Sequence, residues 1–266
     1  MPSNVQPSVF IAHGTPMLAL ADSSDDPFAR SLRTFAKTLP RPRAIVIVSA
    51  HSTEEETVQV QAASQLHAVH DFGGFPKDLY EVKYACPGDP DLAVKIVGLL
   101  SQGGMKAMLH ADGGLDHGAW IPLMHLYPEG DVPVVQVTLP YPGMAHSVLK
   151  LGKSLADLRR DGVLLIGSGG VVHNLADLQW HGKHGLPDRR AVAFETWVQE
   201  RLEKADVEAL LDFEAQAPDP TWAHSTSEHF YPIFFTLGAS LYGDKYQPFF
   251  HGVQYSSLSM LSFALS

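Results

Sequence analysis

"SVFIAHGTPML" (residues 8–18) carries a strand, a turn and the start of a helix in eleven residues. Ser8 to Ala12 is a short apolar run with β-branched and aromatic members, the signature of a buried strand. The run stops at His13, and Gly14, Thr15 and Pro16 follow at once. Glycine opens backbone conformations closed to other residues, threonine can cap a helix, and proline is tolerated at a helix's first position. His13 is thereby held between a strand and a short helix.

The same grammar repeats outward from this stretch. Further strands are expected at 44–50 (AIVIVSA), 57–63 (TVQVQAA), 106–110 (KAMLH), 133–139 (PVVQVTL) and 163–167 (VLLIG), and the tail LSMLSFAL (258–265) reads as another. Helical periodicity marks 91–102, 118–128, 146–161, 189–213 and 228–239. In the third of these, Val148, Leu149, Leu151, Leu155 and Leu158 recur as an apolar stripe suited to lying on a sheet. Strands alternating with helices predict an α/β fold, with a central, largely parallel or mixed sheet flanked by helices. No internal repeat or low-complexity linker divides the chain, so one domain over 1–266 is expected.

Composition narrows the function. Nineteen basic against twenty-nine acidic residues give a formal charge of −10, which disfavours nucleic acid and anionic membrane surfaces as partners. A small-molecule substrate suits this surface better. The single cysteine, Cys86, excludes an internal disulfide and a thiolate-rich zinc cluster, and points to a reducing cytoplasm. MPSNVQPSVF at the start has neither a basic region nor an apolar leader core, and no apolar run is long enough to span a bilayer.

Fourteen histidines nearly match all lysines and arginines together. In open α/β sheets ligands bind beyond the carboxyl ends of the strands, and three histidines stand there: His13 after SVFIA, His51 after AIVIVSA, and His173 after VLLIGSGGVV. Any one alone is satisfied as a packing or capping residue. Three repeating the placement point to a shared metal site, for which neutral imidazole suits zinc and iron.

Other stretches add candidates. In HDFGGFP (70–76), His70 and Asp71 head a loop that reads either as a substrate-binding wall, with Phe72 and Phe75 over an apolar ring, or as a tight turn. In GLDHGAWIPL (114–123), His117 sits near a helix N-terminus, whose positive end disfavours imidazolium and suits an acid/base catalyst. STSEHFYP (225–232) offers Glu228 or His229 as a further metal ligand, or a capping box of Ser225 with Glu228. GSGG (167–170) completes neither a phosphate loop nor a nucleophile elbow. WHGKHG (180–185) reads as an exposed loop.

Taken in order, AHGTPM, VSAH, HDFGGFP, DHGAW, VVHNL and EHFYP, spread over nearly the whole chain, resemble the DOPA-type extradiol dioxygenases of the wider LigB-like (class III) ring-cleaving superfamily. The resemblance implies a single α/β domain with a non-haem Fe(II) centre that opens a catechol ring beside its two hydroxyls, using O2, to a muconic semialdehyde-type product. It implies His13, His51 and His229 as metal ligands, with His173 adjoining or completing the set, and His117 as the acid/base histidine. Many LigB-like relatives use two histidines and a carboxylate, so Glu228 and His229 compete for one position. A set without carboxylate would also accept Zn(II). A zinc hydrolase on the same histidines, and a metal-binding relative without catalysis, are the alternatives.

Overall fold

Ile45 and Ile47 alternate with Val46 and Val48, and all four are fully buried. Successive side chains of a strand point to opposite faces, so such a continuous apolar run requires a sheet covered on both sides. Val46 and Val48 pack into a core shared with helices Pro90–Gln102, Ala145–Leu155, Arg189–Glu203 and Pro232–Gly238. Ile45 and Ile47 pack into the other, with helices Pro27–Thr38 and His117–Leu126.

The computed structural model describes residues 5–140 and 145–266. Its eight-stranded sheet runs in the order Tyr246–Phe250, Ser262–Leu265, Ser8–Ala12, Val163–Gly169, Ala44–Glu54, Val134–Pro140, Val58–Gln61, Ala107–His110. The four central strands are mutually parallel. Ser262–Leu265 joins antiparallel at one side, and Val58–Gln61 pairs antiparallel with Val134–Pro140 at the other, so the sheet is mixed.

Register decides where the histidines go. Ser168 pairs with Ile11 on one side and with Ser49 on the other. His13 and His51 each lie two residues beyond those partners, so they arrive at one level on either side of the central strand. The backbone continues the pairing, with the His13 N–H donating to Gly169 O at 3.1 Å.

Several expectations are refined. The strand read as 44–50 extends to Glu54, and the C-terminal run splits into Leu258–Ser259 and Ser262–Leu265. The long helix read over 189–213 ends at Glu203, because Ala205 adopts φ 52° and the chain restarts at Val207. The 146–161 helix tightens into a 3-10 turn from Ala156, and 228–239 is a 3-10 turn at Ser227–His229 followed by a helix from Pro232. The amphipathic helix Pro27–Thr38 was not read from the sequence; Asp26 caps it by accepting from the Phe28 and Ala29 N–H groups. Arg159, 1% exposed, ties the chain ends together: it donates to the carbonyls of Gln6, Ala239 and Leu265 and to Asp244. No helix among the described residues is long and apolar enough to cross a membrane.

Candidate metal centre

Gly14 takes φ 65°, a left-handed turn that favours glycine, and even the direction of a Cβ there is closed by Met260 Cε at 3.0 Å. This turn swings the chain from the strand into the 3-10 helix Pro16–Leu20 and leaves His13 pointing across the sheet end. Thr15 stands at the cap position, but its side chain makes no capping bond. His229 comes from the far side: Gly170 N–H donates to its carbonyl at 2.8 Å. A side chain on Gly169 would strike that same carbonyl, so the glycine pair lets the third histidine dock against the central strand.

The three rings converge. His51 Nε2 lies 3.2 Å from His13 Nε2 and 3.2 Å from His229 Nε2. The other nitrogens of two of them are engaged: His13 Nδ1 meets Ser168 Oγ at 3.1 Å, and His229 Nδ1 meets a Glu228 carboxylate oxygen at 3.1 Å. Ser168 Oγ donates to Gly118 O at 2.5 Å, so its lone pairs face His13 and receive the Nδ1 proton. With Nδ1 as the donor on both rings, Nε2 carries the lone pair, and the lone pairs meet at one point.

Burial keeps these rings neutral. Desolvation, reinforced by the neighbouring histidines, holds His13 and His229 well below the usual histidine range. Burial and the charge of His117 lower His51 to about 4, and burial, with His224 next, lowers His173 to about 3. Neutral imidazoles with convergent lone pairs and no proton to share are a metal donor set, so these residues fit a non-haem metal ion. Glu228 meets the His229 ring nitrogen that faces away from this cluster.

The remaining candidates surround this triad. His173 lies flat on His229, with ring centroids 3.5 Å apart and planes 6° apart. His117 is the first residue of its helix, its ring centroid 3.9 Å from that of His51. One oxygen of Asp71 accepts from both the His117 backbone N–H, at 2.9 Å, and its Nδ1, at 3.0 Å. Burial pushes the Asp71 carboxyl up, but the His117 bonds outweigh it and hold it below its ordinary value. His51, Asp71 and His117 also cluster closely enough to bind a metal, yet the Asp71 oxygen nearest His117 is already committed to two N–H donors.

A cavity of 720 Å³ opens onto His51, His117, His173 and His229. Phe72 and Phe75 line it, as the loop reading expected, together with Met17, Leu175, Trp180 and Tyr255. Neither His70 nor Asp71 lines it. His70 Nε2 donates to Val82 O at 3.1 Å, and its ring packs against Phe72, Tyr80 and Trp120 behind the wall. WHGKHG is a turn-rich loop, as read, and contributes Trp180. The Ser225 capping box does not form; Thr226 takes the cap position, and its hydroxyl donates to Glu228 at 2.9 Å.

Sequence reasoning missed Ser49 and Asp116. Ser49 Oγ donates to Asp116 at 2.6 Å and accepts the His51 N–H at 3.2 Å, while Asp116 caps the helix that carries His117. The capping position of Asp116 was the one local signal available.

Comparison with known proteins agrees with this geometry. Residues 7–265 match the family model described as the catalytic LigB subunit of aromatic ring-opening dioxygenase. The chain is 38% identical over 249 residues to a "4,5-DOPA dioxygenase extradiol" of Beta vulgaris, covering 89% of this chain and 88% of that one. It is 38% identical over 272 residues to a protein of the same name from Escherichia coli, covering 98% and 95%. A crystal structure of an uncharacterized Escherichia coli K12 protein superposes with a TM-score of 0.82 at 32% identity, covering 98% of this chain and 100% of that one. The chain belongs to the LigB family of aromatic ring-opening dioxygenases.

Proposed function

We propose that His13, His51 and His229 hold Fe(II) in an extradiol dioxygenase that opens a catechol with O2 to a muconic semialdehyde-type product. The chain is a ring-cleaving dioxygenase, an oxidoreductase taking a small aromatic substrate and O2. The observation that carries the metal assignment is the convergence of three Nε2 atoms at 3.2 Å steps, with Nδ1 tied back on His13 and His229.

When bound, Fe(II) supplies the redox change that lets ring electrons reach O2, which zinc lacks. The protein's own residues supply geometry and protons. Asp71 fixes the Nδ1–H form of His117, which leaves Nε2 as the nitrogen free to take a phenolic proton and return it to a departing oxygen. Because Asp71 does this from behind the cavity, its role is to position His117 rather than to bind substrate. His173, stacked on His229, borders the position where the ring enters. Phe72, Phe75 and Trp180 present an apolar surface to the ring and keep water from it. One catalytic domain over 1–266 accords with the single large sheet and the span of the family match. The lone, buried Cys86 supports a cytoplasmic setting.

Reconstitution with Fe(II) under anaerobic conditions, followed by aeration with a panel of catechols, tests this reading. O2 uptake and a yellow product are expected with iron, and neither with zinc. A panel including DOPA, caffeate and protocatechuate that yields neither signal would sink it.

A further inference from the structure

Tyr255 and Ser256 take φ 51° and 73°, two consecutive residues in the left-handed region that favours glycine. Such backbone persists only where its surroundings fix it. The loop that carries Trp180 does so here: the Tyr255 N–H donates to Lys183 O at 3.1 Å, while Tyr255 O and Ser256 O accept from the Gln179 and Asp188 N–H groups, each at 2.9 Å. Buried Glu195 holds both flanks of the turn, accepting from the Gly252 N–H at 3.2 Å and from Ser259 Oγ at 2.6 Å.

This turn delivers the Tyr255 side chain to the cavity wall. Tyr255 is 7% exposed and lines the cavity, yet among the described residues its hydroxyl has no hydrogen-bond partner. A hydroxyl so enclosed calls for a partner from the cavity itself. It stands at the end of the aromatic wall: Phe72 lies 5.5 Å from His117, Phe75 5.5 Å from Phe72, Trp180 5.7 Å from Phe75, and Tyr255 5.8 Å from Trp180, centroid to centroid. Thr15, the other hydroxyl on the lining, is two residues from His13.

Among the described residues no Lys, Arg, Asp or Glu lines the cavity. The positions outside them, 1–4 and 141–144, read MPSN and YPGM and contain none of these types. The end of the wall thus offers the Tyr255 hydroxyl and the Trp180 indole N–H, which is a donor only. Two donors with no competing carboxylate suit an anionic acceptor, and a hydrogen bond to a charged group is about twice as strong as a neutral one. An ammonium would lie on the ring faces instead, a contact that does not use the hydroxyl. Resting on the extradiol reading above, we infer that Tyr255 is a specificity-determining residue whose hydroxyl donates to a carboxylate on the ring substituent of the catechol.

Tyr255→Phe removes the hydroxyl and keeps the ring that packs on Trp180. Two pairs of catechols differ by a carboxylate: 3-(3,4-dihydroxyphenyl)propanoate against 4-propylcatechol, and L-DOPA against dopamine. Calorimetry on the Fe(II)-loaded protein without O2 gives Kd, and O2 uptake gives kcat and KM. In Tyr255→Phe the two carboxylates are expected to bind about 10- to 100-fold more weakly, the size of one lost hydrogen bond to a charged group, with KM rising and kcat kept. Propylcatechol and dopamine are expected to stay within about twofold of wild type. A weakening shared equally by all four would place the hydroxyl on the ring oxygens and overturn the inference, as would unchanged binding of the carboxylates. If the wild-type protein turns over none of the four, the extradiol reading fails, while the anaerobic Kd comparison still decides the role of Tyr255.

Discussion

Removing the Glu228 side chain deprives His229 of the acceptor that fixes its ring. The pair is well shielded, with Nδ1 to oxygen at 3.1 Å and side-chain exposures of 7% for His229 and 23% for Glu228. Thr226 Oγ1 holds the same carboxylate oxygen at 2.9 Å, so the acceptor is pre-placed before any metal arrives. A carboxylate behind a ligating histidine fixes its tautomer and raises its basicity, and losing such a partner typically weakens metal binding about 10- to 100-fold. Glu228→Ala should therefore raise the Kd for Co(II) or Zn(II) by about that factor, roughly 1.4–2.8 kcal/mol. Glu228→Gln keeps an acceptor but not the charge and should fall between wild type and alanine. His229→Ala removes a ligand outright and should weaken binding by well over about 100-fold. Competition against a chromophoric chelator measures all three, with circular dichroism confirming the fold. If Glu228→Ala loses as much affinity as His229→Ala, the carboxylate is itself a ligand and the assignment is wrong. If it loses nothing, the carboxylate does not orient the ring.

Asp71→Ala should retain metal while lowering kcat by about 100-fold or more, because His117 loses the acceptor that fixes its tautomer; a drop confined to KM would instead assign Asp71 to substrate binding. Arg159→Met should destabilise the protein by about 3–5 kcal/mol, since it strands Asp244 and three carbonyls, and a denaturation midpoint near wild type would refute that role. His224 is fully buried, and burial lowers it to about 4, so the unfolded chain binds its proton first as pH falls. The metal-free protein should thus be insensitive to pH above about 7 and lose about 2 kcal/mol from this residue between pH 6.5 and 5. His224→Gln should remove this one histidine's share of the slope in urea titrations, leaving the share of His13, His51, His173 and His229; an unchanged slope would contradict the assignment.

The sheet was legible because its central strands are apolar on both faces, which leaves continuous runs such as AIVIVSA with sharp ends. His13 and His51 stood at those ends, so their meeting followed from parallel register. Helix Pro27–Thr38 was legible but not read: Phe28, Ala29, Leu32, Phe35 and Ala36 form a helical stripe against the core, and Asp26 and Pro27 form a start signal. The break at Ala205 carries no glycine: an exposed alanine takes φ 52° in a local helix-ending turn, where the Asp206 N–H donates to Arg201 O at 2.9 Å, and Asp206 then caps the next helix. Asp71 was placed with the substrate because its loop neighbours Phe72 and Phe75 are there, yet its carboxylate turns to a histidine 46 residues away. Trp180 and Tyr255 reach the cavity from loops with no periodicity, where sequence carries no directional information.

Oxygen labelling tests the central claim most directly. Fe(II)-loaded protein turned over under 18O2, with the product trapped by borohydride before its aldehyde oxygen exchanges, should yield product carrying both labelled atoms, and His13→Ala should yield none while keeping its fold. Product that forms without label, or that forms equally well with zinc in the absence of O2, would contradict the account.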